Sequence, residues 1–152
     1  MTPTARLAEL GIALPGVAAP VAAYVPAVRS GQLVFTSGQL PFIEGSLAAT
    51  GKVGGDVSPE EGKAHARTCA LNALAAIDAL VGLDSVVRVV KLTGYVASAD
   101  GFTGQPAVVN GASDLLGEVF GEAGQHARAA VGVAELPLGA PVEVDLIVEI
   151  GE

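Results

Sequence analysis

The stretch Val142-Glu143-Val144-Asp145-Leu146-Ile147-Val148-Glu149-Ile150 constrains the fold more than any other part of this chain. Its period of two puts Val142, Val144, Leu146, Val148 and Ile150 on one face and Glu143, Asp145, Ile147 and Glu149 on the other. A helix would scatter those apolar residues around its circumference, whereas a strand gathers them on one side. The segment therefore reads as a β-strand with one covered face, and the chain must supply a layer to cover it.

Two helices can supply that layer. Ser58-Pro59-Glu60-Glu61 is an N-terminal helix signal: Ser58 fits the cap, Pro59 the first turn, and Glu61 closes a capping box. Leu71, Leu74, Ile77 or Asp78, and Val81 follow at helical spacing, and Gly82 ends the helix. Pro106 opens a second helix with Val108, Ala112, Leu115, Leu116 and Val119 on its apolar side, ended by Gly121 to Gly124. Strands are expected over Tyr24–Val28, Gln32–Gly38, Val86–Val96 and Ala127–Ala134. A short extended piece is expected near Leu47–Val53 inside a Gly-rich loop over 40–56. A short helix over residues 3–11, capped by Thr4 and ended by Gly11, precedes a Pro/Ala-rich connector through Pro20. The link Leu136–Ala140 suits a hairpin-like return. The order β-β-(β)-α-β-α-β-β is satisfied by an α+β fold, a mixed sheet with two helices on one face. At 152 residues the chain is expected to form one domain, 1–152, with residues 1–16 as an N-terminal extension.

Composition narrows the function classes. Charged residues make up 16%, against ~25% in ordinary domains, while hydrophobic residues make up 51%. So apolar a chain is expected to cover part of its surface with subunit contacts. A net charge of −8 repels phosphate backbones, and the eight Lys and Arg residues form no basic patch, so a nucleic-acid partner is not expected. The single cysteine, Cys69, reads as a small buried apolar residue and suits a reducing cytoplasm. No membrane-spanning run and no signal-peptide pattern is visible. One Cys and two distant His residues give no metal-ligand spacing, and no phosphate loop or serine triad is supported. His65, in the first long helix, reads as an ordinary helix residue.

Arg128 is the leading candidate for chemistry. On strand alternation it shares a face with Ala130, Gly132 and Ala134, while Ala129, Val131 and Val133 take the other. A guanidinium beside small side chains either grips a carboxylate with two parallel hydrogen bonds or is a solvated or partner-paired surface group. Glu143 either directs a water or is an exposed strand residue. Tyr24 is either core packing or a ligand lid. Ser37-Gly38 either offers a hydroxyl and an N–H to a ligand or forms a turn.

Two sets of residues resemble a known family. Tyr24 with Pro26-Ala27-Val28, Gly31 and Val34-Phe35-Thr36-Ser37-Gly38-Gln39-Leu40-Pro41 is similar to the N-terminal signature of the Rid (reactive intermediate deaminase, YjgF-like) family. Ala127-Arg128-Ala129-Ala130-Val131, Leu136-Pro137 and Val142-Glu143-Val144 resemble its second signature, and the likeness covers about residues 17–150. It implies a chorismate-mutase-like α+β fold, a homotrimeric barrel and small-molecule clefts between subunits. It implies hydrolysis of reactive 2-enamine and 2-imino acids to 2-keto acids and ammonia, without a cofactor or metal. Other members have been described as endoribonucleases or translation inhibitors. Carried over by position, Arg128 would bind the substrate carboxylate and Glu143 would help position water. Tyr24, Ser37, Gly38 and Ala130 would line the cleft, Ala130 standing where archetypal members often have cysteine. An iminium carbon is already electrophilic, so holding the carboxylate and directing one water suffices. The segment Asp100–Asn110 and the N-terminal extension are longer than in archetypal members and resemble a divergent, longer-chain subgroup. Two other readings remain: a non-catalytic module for small carboxylates, and a ribonuclease using His126 beside Arg128.

Overall fold

The structure is a computed structural model and describes residues 1–17 and 23–152. The expected connector through Pro20 falls partly outside them. The elements are α1 (Pro3–Glu9), β1 (Ala27–Ser30), β2 (Leu33–Thr36), β3 (Phe42–Ile43), β4 (Ser46–Leu47), α2 (Pro59–Val81), β5 (Val86–Ala97), α3 (Gln105–Phe120), β6 (Ala127–Val133) and β7 (Val142–Ile150). The main sheet runs β1-β2-β7-β5-β6, antiparallel throughout except for the parallel β5–β6 pair. With α2 and α3 on one face of this mixed sheet, the chain has the expected α+β architecture.

β7 is half-buried with the expected faces: Val142, Val144, Leu146, Val148 and Ile150 are buried, and the residues between them are not. Ser58 caps α2, its hydroxyl accepting from the Glu61 N–H at 3.1 Å. The packing face of α2 is built mostly from Ala66, Cys69, Ala70, Ala73 and Ala76 around Leu74 and Ile77, while Leu71 is only partly buried. Small side chains let α3 approach closely. At Gly111 an added Cβ would meet the Lys63 carbonyl, with its carbon at 2.9 Å. Gly94 of β5 likewise leaves room for Val109, whose methyl carbons would lie 2.5 and 2.6 Å from a Cβ there. Val108, Ala112, Leu115, Leu116 and Val119 are buried as expected. Truncating Leu115 or Leu116 in such a core costs about 2–5 kcal/mol.

Several expectations need correction. The helix cap near the N-terminus is Thr2, whose hydroxyl accepts from the Ala5 N–H, with Pro3 in the first turn. Thr4 instead donates its N–H and hydroxyl to Asp84 at 2.9 and 2.7 Å, tying α1 to the turn after α2. The strand expected from Tyr24 begins at Ala27. Pro26 has no N–H for the ladder, and Ser37 ties this segment down by donating its N–H to the Pro26 carbonyl and its hydroxyl to that of Val25. The loop over 40–56 holds the β3–β4 hairpin rather than an extended piece at 47–53. Leu136–Ala140 is not a hairpin return, because β5 lies between β6 and β7 and the link crosses its end.

Candidate functional site

The parallel β5–β6 register decides which way Arg128 points. It pairs Arg128 with Leu92, Ala130 with Gly94 and Gly132 with Val96. Leu92 and Val96 are buried, and Gly94 lies under Val109 of α3. Arg128, Ala130 and Gly132 therefore share the helix-covered face, at its outer margin, because β6 is an edge strand. The close approach at Gly94 brings the next residue of α3, Asn110, within reach of the arginine. Arg128 Nη1 donates to Asn110 Oδ1 at 2.7 Å and to Ser113 Oγ at 3.2 Å. Both hydrogens of Nη1 are thereby used. Among the described residues Nε and Nη2 have no hydrogen-bond partner, so one two-pronged edge of the guanidinium is left for a ligand. The space that the sequence suggests around Arg128 is thus half filled by α3.

Ser113 is itself held. Its Oγ lies 2.9 Å from His126 Nε2, and His126 Nδ1 lies 2.6 Å from the Gly124 carbonyl. Neither Asn110 nor Ser113 stood out in the sequence. Their spacing of three on a helix, beneath a strand arginine, was the available signal. His126 stands just before β6 rather than within it, and it and Arg128 meet at Ser113 Oγ. Ala130 is partly buried beside Arg128 on the same face.

Glu143 belongs to the other side of the sheet. Its partner on β5 is Tyr95, one residue out of phase with the buried Leu92 and Val96, so its side chain faces away from the helices. Asp145, Tyr95 and Thr93 share that open face, and Tyr95 donates to Asp145 at 3.1 Å. Burial, and secondly the neighbouring Asp145 charge, push the Glu143 carboxyl above its ordinary range. Burial also raises Asp145, against the lowering effects of Tyr95, Lys91 and Thr93. Gly38, just past β2, lies against the Glu143 carboxylate: a Cβ there would contact Oε2 and sit 2.8 Å from Cδ. Gly38 is exposed, and Ser37 spends its hydroxyl proton and N–H on Val25 and Pro26 rather than offering them to a ligand. Tyr24 is 44% exposed in the bend before β1, in the segment that Ser37 anchors.

Arg128 and Glu143 thus point from opposite faces of one sheet, and a single chain does not bring them together. The open face is unusually apolar for one left to solvent, with Val28, Phe35 and Val131 exposed at 50, 37 and 41%. The long Asp100–Asn110 segment is fixed. Phe102 packs against Gly54 and Gly104, and Gln105 donates to Ser98 and to the Phe102 carbonyl at 3.1 and 2.8 Å. A cavity of about 710 Å³ between residues 13–17, the β3–β4 hairpin and α2 is lined by none of the candidate residues. His65 is half-buried, and burial lowers its imidazole pKa against the raising effect of Glu61. No group of three or more His, Cys, Asp or Glu side chains that could hold a metal is found among the described residues. No helix among them is long and apolar enough to cross a membrane.

A family model described as "YjgF/chorismate_mutase-like, putative endoribonuclease" matches residues 4–150, further toward the N-terminus than the signature residues reach. Protein TCP17 of Trypanosoma cruzi is 51% identical over 148 residues, which cover 96% of this chain and 92% of that protein. The crystal structure of the Agrobacterium tumefaciens protein Atu1372, whose function is unknown, superposes with a TM-score of 0.90 at 48% identity, covering 98% of this chain and 92% of that one. RidA from the Antarctic bacterium Psychrobacter sp. PAMC 21119 superposes with a TM-score of 0.62 at 30% identity, covering 88 and 94%.

Proposed function

Because this chain belongs to the YjgF/chorismate mutase-like family, we propose that it hydrolyses reactive 2-enamine and 2-imino acids to 2-keto acids and ammonia, in clefts between copies of a homotrimer. The observation that carries this reading is the half-satisfied guanidinium of Arg128, with Nη1 fixed by Asn110 and Ser113 and the Nε/Nη2 edge left for a carboxylate. The opposed placement of Glu143 supports a site completed by a second copy: the β6 margin of one chain would meet the Gly38–Glu143 side of the next. The exposed apolar residues on the open face favour such an assembly. The proposed surroundings are cytoplasmic, in keeping with the single buried thiol.

In the reaction, an enamine first takes a proton at C3 and becomes the iminium. Arg128 holds the carboxylate, which fixes C2 in place. Glu143, ionised, draws a proton from water as its oxygen bonds to C2, giving a carbinolamine. The same carboxyl returns that proton to nitrogen, the C2–N bond breaks, and the hydroxyl proton leaves with ammonia as ammonium. A carboxylate whose pKa is raised by burial is a stronger base for this step than an exposed one. Ala130, Tyr24, Ser37 and Gly38 would shape the cleft, Ser37 by holding the Tyr24 segment. A ribonuclease role for His126 is less favoured, since both its ring nitrogens are already engaged.

The test is a coupled assay. An amino-acid oxidase or a serine/threonine dehydratase generates the 2-imino acid, and keto-acid appearance is followed with wild type and Arg128→Ala. Acceleration by wild type that is lost in the variant, with the oligomer intact by light scattering, supports the reading. Saturable binding of 2-oxobutyrate with no acceleration for any side chain tried would sink it and favour a carboxylate-binding module.

A further inference from the structure

We infer that Ser113 and His126 form a positioning relay that sets the orientation of Arg128, so that ligand grip at the arginine is controlled from the turn after α3. The relay begins at Gly124, in the short 3-10 turn Gly121–Gly124. This glycine is buried with no room for a side chain: an added Cβ would meet the Leu116 carbonyl, with its carbon at 2.9 Å and Phe120 Cβ at 3.2 Å. Its carbonyl oxygen is therefore fixed by core packing. A carbonyl can only accept, so the 2.6 Å contact requires a proton on His126 Nδ1. In the neutral imidazole Nε2 is then an acceptor, and the Ser113 hydroxyl donates to it at 2.9 Å. With its proton committed, Ser113 Oγ can turn only a lone pair toward Arg128, which donates to it at 3.2 Å.

Each member thus dictates the polarity of the next. The result is a guanidinium plane fixed by two acceptors on one nitrogen, Ser113 and Asn110, with only one of them steered from outside α3. Without His126, the Ser113 hydroxyl could point its proton at Arg128, two donors would face each other, and the fork would swing away. Ser113 and His126 are positioning residues, not catalytic ones, since neither needs to touch the substrate. The kinetic part of this inference rests on the deaminase reading; the positioning part does not.

Two measurements test it, on the full chain in its native oligomeric state. The first is ¹⁵N NMR of the arginine side chains, with Arg128 assigned by loss of its signal in Arg128→Lys. Rotation about the Arg128 Nε–Cζ bond is expected to be slow in wild type and at least fivefold faster in both Ser113→Ala and His126→Ala. Ser113→Thr, which keeps the hydroxyl, is expected to remain slow. Equal rotation rates in wild type and both alanine variants would overturn the relay. The second is steady-state kinetics with the 2-imino acid generated in situ. The alanine variants are expected to raise KM about 5- to 20-fold with kcat within about twofold, the signature of lost binding rather than lost chemistry. A fall in kcat at unchanged KM would overturn the positioning role. An inactive wild type whose Arg128 is nonetheless slowed and released as described would refute the deaminase reading and leave the relay standing.

Discussion

Gly38→Ala is the sharpest probe of the candidate site, because it places one methyl group against the carboxylate of Glu143. Gly38 does not occupy the left-handed region of backbone space, so alanine is compatible with the local chain. Its Cβ would lie 2.8 Å from Glu143 Cδ, and Oε2 would be closer still. Ordinary contact begins near 3.4 Å, so the carboxyl carbon must retreat by roughly 0.6 Å and the oxygen by more, to an order of magnitude an ångström. The obstacle is the end of a flexible side chain, and the move is cheap in stability. Loss of glycine's extra freedom in the unfolded chain offsets about 0.4–1 kcal/mol of it. Net stability should therefore change by less than about 1 kcal/mol, or roughly 2–4 °C in Tm. Catalysis has no such tolerance: displacement of a reacting group by about 1 Å costs up to roughly 100-fold. We predict kcat/KM for the in situ imino acid to fall about 30- to 100-fold in a protein that melts like wild type. A folded Gly38→Ala protein with turnover within twofold of wild type would refute the role given to the Glu143 carboxylate.

Glu143 and Asp145 have pKa values raised by folding, so the native chain holds protons that the unfolded chain has released, and stability falls as pH rises from the ordinary carboxyl range through the raised values. Glu143→Gln should flatten that dependence and raise Tm at pH 7.5 by about 1–3 °C; melting curves with unchanged pH slope would contradict this. The acid limb of kcat/KM should lie above the ordinary glutamate range of about 4.3 and vanish with that limb's owner in Glu143→Gln, whose residual rate should be pH-independent there. Gly111→Ala drives a methyl into the Lys63 carbonyl, a backbone group that cannot step aside. It should cost about 3 kcal/mol, or roughly 6–12 °C in Tm, and a wild-type Tm would mean that α2 and α3 can part at no cost. Asn72 is buried and donates to the Leu40 and Phe42 carbonyls at 3.0 and 3.1 Å. Asn72→Ala should cost about 1–3 kcal/mol and speed hydrogen exchange around residues 40–47; protection equal to wild type would show that the hairpin holds without it.

Local signals survived folding where one short stretch of sequence determined the outcome. β7 and the Ser58 cap of α2 occupy the expected positions because alternation and capping are decided within a few residues. The apolar face of α3 was legible for the same reason. Neighbour relations were not. Nothing within Leu136–Ala140 reveals that β5 is inserted between β6 and β7, because alternation fixes faces but not partners. The weight of α2 packing fell on alanines, which carry little hydrophobic signal, and not on Leu71. At the site, Arg128 and Glu143 stood out as single residues. Their opposed faces could be read only from the β5 register, and the Asn110–Ser113–His126 surroundings only from the depth to which Gly94 admits α3.

The placement of Cys69 has an experimental consequence. It is the one cysteine of the chain, fully buried on α2, with its thiol 3.6 Å from the Val142 carbonyl of β7, and burial pushes its pKa well up. No thiol reagent can reach it until that helix lifts from that strand. The rate at which the native protein takes up such a reagent is therefore an opening clock built into the molecule, read without a dye or an introduced label. A ligand that locks the layers together would slow the clock, and it could be discovered in this way before anything is known of what the protein does to it.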